Sequence, residues 1–177
     1  MMPAAKWRPQ AYISSVADLD WRRLYGQGYR LVLTDLDNCL QGHGRREASP
    51  GALAHLRAMR EAGLDVAVVS NAKRGRAAAL AQNLERQGLA IPVYGEAGKP
   101  GKRALRQAMQ DFSRKPSETL MLGDQYFTDA LAGLGLVSTV LVRPVDSHEP
   151  WYIRLKRLAE RLWFFCLALP FPYNELY

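Results

Sequence analysis

The run Leu31-Val32-Leu33-Thr34-Asp35-Leu36-Asp37-Asn38 constrains the fold more than any other stretch of this 177-residue chain. Its first four residues have the length and branching of a strand buried on both faces. Two carboxylates, one residue apart, follow where that strand stops. Sheets of α/β proteins bind ligands beyond the carboxyl ends of their strands. A buried acid must be solvated, hydrogen-bonded or paired with a cation. The pattern therefore predicts a site at a sheet edge, with one acid as nucleophile and magnesium ligand and the other as proton donor. A pair of loop caps is the competing reading.

Downstream, short branched runs alternate with helical segments. Strands are predicted at Arg30–Thr34, Asp65–Ser70, Ala90–Tyr94, Thr119–Leu122 and Ser138–Val142. Helices are predicted at Pro50–Ala62, Arg74–Gln87, Gly101–Asp111 and Tyr126–Leu134, with an earlier one over Asp18–Tyr25. Ser49-Pro50 supplies a cap and an N1 proline to the first of the four, and Gly63 and Gly88 stop the first and second. Such alternation implies an α/β fold, a doubly wound parallel sheet of about five strands. At 48% hydrophobic the chain can bury one substantial core. Residues 1–150 are expected to form that core, and 151–177 a basic amphipathic helix and tail.

The formal net charge is +7, with arginine far commoner than lysine. That balance favours anionic partners such as nucleotides, nucleic acid or an acidic membrane surface, unless it marks only solvated basic helix faces. Two cysteines, Cys39 and Cys166, cannot build a disulfide framework, so a cytoplasmic setting is expected. No secretory signal follows Lys6 and Arg8, and no run reaches the ~18 apolar residues of a membrane span.

Three further groups fall at predicted strand ends. Ser70-Asn71 closes Val66-Ala67-Val68-Val69, and Lys99 lies in Gly98-Lys99-Pro100 after the third strand. Gly123-Asp124-Gln125-Tyr126-Phe127-Thr128-Asp129 follows Leu120-Met121-Leu122. Phosphoryl transfer uses such a set: an attacking carboxylate, a hydroxyl and an ammonium on the phosphate oxygens, and more carboxylates on a hard cation. Lys73 and Lys102 rival Lys99 as the phosphate-binding cation, and Asp129 could equally cap or support a helix. His43, His55 and His148 are scattered and read as surface or structural residues. Cys39 has no basic partner nearby and reads as packing.

Taken together and in order, Asp35-Leu36-Asp37-Asn38, Val69-Ser70-Asn71, Gly98-Lys99-Pro100 and Gly123 to Asp129 resemble the haloacid-dehalogenase superfamily of aspartate-nucleophile phosphatases, and within it the YqeG-like subgroup. The resemblance runs from about Tyr12 to Pro144. It implies a Rossmann-like fold and magnesium-dependent hydrolysis through an aspartyl-phosphate. By position, Asp35 would be the nucleophile and Asp37 the acid/base. Ser70, Asn71 and Lys99 would hold the phosphate. Asp35, Asp37 (through its carbonyl) and Asp124 would meet Mg2+, supported by Asp129. Position 39 is Cys where the superfamily usually has Thr, and position 72 is Ala where the subgroup tends to have Asn. A thiol is the poorer hydrogen-bond partner. Neither Asn38–Val66 nor Asn71–Gly98 has room for an inserted cap domain, so a capless, open-mouthed enzyme is expected.

In the C-terminal segment, Trp151, Leu155, Leu158, Leu162, Phe165 and Leu169 recur at helical spacing, with Arg154, Arg157 and Arg161 on another face. Such a helix either lies in a membrane interface, at the inner face of the membrane, or covers the sheet. The subgroup is similar to mitochondrial phosphatidylglycerophosphate phosphatases, which implies a phosphoglycerolipid headgroup as substrate. The rival readings are a phosphatase for a nucleic-acid end or soluble ester, and a non-catalytic RNA-, ribosome- or membrane-binding protein. Pure phosphate binding gives no reason for Asp37.

Overall fold

Six parallel strands make one sheet in the computed structural model, which describes residues 8–146 and 151–166. They are β1 (Ala11–Ile13), β2 (Leu31–Thr34), β3 (Asp65–Val69), β4 (Val93–Tyr94), β5 (Thr119–Gly123) and β6 (Ser138–Val142), in the order β1-β6-β5-β2-β3-β4. From β2 the chain steps outward through β3 and β4, then crosses back to lay β5 against the other side of β2. That reversal is where doubly wound sheets open a crevice. Thr34 pairs with Val68 on one side and Leu122 on the other. The register therefore brings the residues after all three strands, Asp35, Ser70 and Asp124, to one edge.

Each face of the sheet has its own helices. α1 (Trp21–Gly26), α2 (Pro50–Glu61) and α3 (Arg74–Arg86) send Trp21, Leu56 and Leu84 against Val32, Val66 and Leu120. α4 (Arg103–Asp111) and the three-residue α5 (Leu131–Gly133) send Leu105 and Ala132 against Leu31, Leu33 and Met121 on the opposite face. α6 (Trp151–Cys166) seats Phe164 against Tyr126 and Leu141 in a third cluster. Ser49 caps α2 by accepting from Ala52 N–H at 3.2 Å, with Pro50 in the first turn. Beyond its end Gly63 adopts φ +89°, and a Cβ there would press on the Tyr25 ring at 3.1 Å.

The differences from the predicted elements have local causes. The sheet has six strands rather than about five because β1 is three half-buried residues paired only with β6, too short for a period to register. β4 starts at Val93 rather than Ala90, since Pro92 has no N–H to place in the ladder. The helix expected over Tyr126–Leu134 is one π-helical turn, Tyr126–Ala130, followed by α5. α2 alone separates β2 from β3, and α3 alone separates β3 from β4, so no cap domain is inserted between these strands. His148 and Leu169 lie outside the described residues.

Candidate active site

Asp35 leaves the end of β2 with its main-chain N–H still bonded to Leu122 in β5 at 2.8 Å. Its carboxylate Oδ1 lies 3.0 Å from Lys99 Nζ. Lys99 also donates to Asp129 Oδ1 at 2.6 Å and to the Val69 carbonyl at 2.7 Å. This places the ammonium at the junction of β2, β3 and the turn after β5. Burial drives Asp35 upward, to about 7, with Asp129 and Asp37 adding to the rise against the pull of Lys99. For Lys99 burial works downward, but Asp129 and Asp35 outweigh it and hold the ammonium above its ordinary range. The two rivals of Lys99 are elsewhere: Lys102 donates to the Leu134 carbonyl at 2.5 Å, and Lys73 is exposed ahead of α3.

Asn71, expected to bind phosphate, lines the same cavity as Asp35 and Lys99 and also braces the lysine's loop. Its carboxamide donates to the Lys99 carbonyl at 3.0 Å and accepts from Lys99 N–H at 2.8 Å, pinning the loop that carries the lysine. Ser70 is buried, accepts from Ala72 N–H at 3.2 Å, and keeps its own O–H available to a ligand. Main-chain Ala72 needs no side chain for this contact, so the departure at that position leaves the Ser70 turn closed. Cys39 packs against Thr34 with Sγ 3.7 Å from Oγ1, and burial pushes its thiol well up, which keeps it un-ionised.

Asp124 and Asp129 come from the end of β5 and the π-helical turn. Asp129 folds back so that its Oδ2 accepts from Gln125 N–H at 3.0 Å. Its Cβ then occupies the space beside Gly123, where any side chain would collide with it. The π-helical turn and this glycine together aim Asp129 at Lys99. Asp35, Asp124 and Asp129 each offer an oxygen within 4.8 Å of the others. Burial raises Asp124 as well, opposed chiefly by Arg157. The three carboxylates face two cationic side chains, Lys99 and Arg157. Asp124 Oδ1 is buried with no hydrogen-bond partner. An all-oxygen, net-anionic set with an unpartnered carboxylate oxygen fits a hard divalent cation such as Mg2+.

Asp37 sits apart from that triad. Its carboxylate pairs with Arg76 of α3 through both oxygens, accepts from Gly44 N–H at 3.0 Å, and lies 3.8 Å from His43 Nδ1. His43, expected to be a surface or structural residue, stands at the mouth, its Nε2 3.2 Å from the Tyr152 hydroxyl. Spacing along the chain carries no signal for Arg76 or His43, since both reach the site across loops of unrelated length. A cavity of about 410 Å³ has Asp35, Asp37, Ser70 and Lys99 among its lining residues, with Arg76 and Lys156 contributing cations.

Of the two arrangements expected for the C-terminal helix, the structure does not show the apolar stripe covering the sheet. The stripe of Trp151, Leu155, Leu158, Leu162 and Phe165 faces outward, each residue more than half exposed. The buried face is Ile153, Arg157, Glu160 and Phe164. Arg157, placed by the sequence with Arg154 and Arg161 on a separate basic face, is buried and bonds Asp124 Oδ2 at 2.5 Å. A buried carboxylate without a counter-charge would be costly, and this outranks apolar burial in choosing the inward face.

Comparison with known proteins agrees with the family that the motifs resemble. A family model for haloacid dehalogenase-like hydrolases matches residues 3–136. "Probable phosphatase YqeG" of Bacillus subtilis (strain 168) is 30% identical over 154 residues, spanning 86% of this chain and 87% of that protein. The chloroplastic phosphatidylglycerophosphate phosphatase 1 of Chlamydomonas reinhardtii is 28% identical over 166 residues, 88% of this chain but 60% of its own length. Two solved structures share the fold. One, an uncharacterized protein from Listeria monocytogenes serotype 4b, has a TM-score of 0.50 at 14% identity, over 73% of this chain and 99% of that one. The other has a TM-score of 0.54 at 15% identity, over 80% and 86%.

Proposed function

The chain belongs to the haloacid dehalogenase-like hydrolases, and from that premise we propose a magnesium-dependent phosphate-monoester hydrolase that works through an aspartyl-phosphate on Asp35. The observation that carries the reading is the placement of the Asp35 carboxylate on a cavity wall, 3.0 Å from Lys99 and within ligand distance of Asp124 and Asp129. An Asp35 oxygen attacks phosphorus as the ester P–O bond breaks, and Asp37 gives the departing oxygen its proton. Asp37 then takes a proton from water, whose oxygen displaces Asp35 from phosphorus and releases phosphate. Ser70 and Lys99 hold the phosphoryl oxygens, and Asn71 holds Lys99. Asp35, Asp124 and Asp129 would hold the cation, with the Asp37 carbonyl as a further ligand. The chemistry a bound magnesium ion supplies is neutralisation of charge building on the phosphoryl oxygens.

The preferred substrate is a phosphoglycerolipid headgroup, phosphatidylglycerophosphate. The absence of a cap leaves the mouth open to a phosphate projecting from a bulky assembly. A phosphatidylglycerophosphate phosphatase is among the relatives, and the outer face of α6 suits peripheral contact with an anionic bilayer. That face combines exposed Trp151, Leu155, Leu158, Leu162 and Phe165 with exposed Arg154, Lys156 and Arg161. No helix among the described residues is long and apolar enough to cross a membrane. The purified protein is expected to release phosphate from p-nitrophenyl phosphate only with magnesium present, and from phosphatidylglycerophosphate in mixed micelles with a higher kcat/KM. A preference for a 5′-phosphorylated oligonucleotide or a soluble sugar phosphate would overturn the lipid assignment. No magnesium-dependent release from any ester would overturn the enzyme.

Deleting the whole tail cannot test the membrane contact, because it also removes Arg157 from Asp124. The clean variant is Leu155→Glu with Leu158→Glu, at two exposed positions. Burial of a leucine is worth about 1.5–3 kcal/mol, so co-sedimentation with phosphatidylglycerol vesicles should weaken by more than about ten-fold. Turnover of p-nitrophenyl phosphate and the melting temperature should stay as in the parent. Undiminished vesicle binding would end the membrane reading of α6.

A further inference from the structure

We propose that Arg157 of α6 is a positioning residue of the cation site, fixing Asp124 so that one carboxylate oxygen is presented to the metal; this rests on the reading of Asp124 as a metal ligand. The guanidinium grips a single residue twice. Nη2 donates to Asp124 Oδ2 at 2.5 Å and Nη1 to the Asp124 main-chain carbonyl at 3.0 Å. A carboxylate held through one oxygen and its own backbone has one orientation left. In that orientation Oδ1 has no hydrogen-bond partner and is buried. The three acids can offer oxygens within 4.8 Å of one another. Lysine could not hold both oxygens from one nitrogen with the same fixed geometry, whereas the planar guanidinium fork does.

Glu160, one turn further along α6, works on the same segment. Its Oε1 accepts from Phe127 N–H at 2.8 Å, inside the π-helical turn that carries Asp129. Oε2 lies 4.0 Å from Arg157 Nη1. Two of the three acids of the cluster are therefore steadied from the C-terminal helix: Asp124 by direct contact and Asp129 through its turn. A helix serving only to cover the sheet would place aliphatic side chains at 157 and 160, since burying a guanidinium and a carboxylate costs several kcal/mol per ion unless both are well paired. Outer partners of metal ligands typically govern affinity by 10–100-fold. On this account α6 is part of the active site although none of its residues is expected to touch the phosphoryl group.

The test measures binding of Mn2+, a hard-ligand probe for a carboxylate site, to the full-length protein without substrate, by calorimetry and by the electron-spin signal of free Mn2+. Parent, Asp124→Ala, Arg157→Met, Arg157→Lys and Phe164→Leu are compared, each with a melting curve in chelator. Arg157→Met should weaken Mn2+ by about 10–100-fold, and Arg157→Lys by an intermediate amount, which also serves if the Met variant does not fold. Phe164→Leu, on the same buried face but packed on Tyr126, should melt earlier and bind Mn2+ like the parent. Unchanged affinity in both Arg157 variants overturns the proposal, as does equal weakening in Phe164→Leu, which would mean that affinity only follows helix docking. Tighter binding in Arg157→Met also overturns it, by making the arginine a competitor for Asp124. No Mn2+ binding by the parent, or undiminished binding by Asp124→Ala, strikes instead at the reading of the cation site.

Discussion

Asp35→Asn is expected to bring magnesium-dependent turnover of p-nitrophenyl phosphate down to buffer background while leaving the fold intact. The amide has the size of the carboxylate and keeps an oxygen for Lys99, but it is not an anionic nucleophile and forms no acyl-phosphate. Stability should move the other way from activity. Burial lifts the Asp35 carboxyl from its ordinary 3.8 to about 7 in the folded chain. A raised acid contributes stability that is fully present below the unfolded value and lost as pH rises through the folded one. At pH 8 in chelator the parent therefore carries an ionised, desolvated carboxylate that the amide variant lacks. The variant should melt no lower than the parent there. Residual turnover in a purified variant, with the parent's magnesium dependence, would remove Asp35 from the chemistry.

The residues of this site that could be read from the chain were those at strand ends. Asp35, Ser70, Lys99 and Asp124 each follow a short apolar run, and a parallel sheet in register brings such positions to one edge without further information. Lys99 could be separated from Lys73 and Lys102 only by position within the motif, and the structure supplies the reason: it alone of the three reaches Asp35 and Asp129. What stayed hidden depends on contacts across the fold. Arg76 of α3 carries no signal in the sequence, because nothing local indicates that Asp37 lies opposite. The orientation of α6 was left open between a membrane interface and the sheet for a deeper reason. Amphipathic periodicity measures apolar contrast alone, and that measure does not say whether the Trp151–Phe165 stripe meets the sheet or a membrane. The fold turns inward the face bearing Arg157, whose partner Asp124 is 33 residues away in sequence. β1 escaped because three residues paired to one neighbour carry no period.

Asp37→Asn tests the other half of the proposed chemistry. Its surroundings make it a conservative change in structure. The carboxamide oxygen keeps the Gly44 N–H bond, made at 3.0 Å in the parent, and one bond to Arg76. The second contact to Arg76 and the approach of His43, both through the other oxygen, are lost at the rim of the cavity, where water can replace them. The melting temperature should therefore stay close to the parent's. Turnover should not, because an amide neither gives a proton to the leaving oxygen nor takes one from the attacking water, and proton transfer by a positioned group is typically worth about 10²–10⁴-fold. The loss should depend on the leaving group. p-Nitrophenolate departs with little need of a proton, whereas an aliphatic alkoxide such as a glycerol oxygen needs one. Variant and parent should thus differ less on p-nitrophenyl phosphate than on glycerol 3-phosphate or a phosphoglycerolipid. Asp35→Asn, by contrast, should silence both kinds of ester equally. An Asp37→Asn protein that turns over alkyl and aryl esters at the parent's rates would return this carboxylate to the role its contacts also allow, a loop anchor for Gly44 and Arg76.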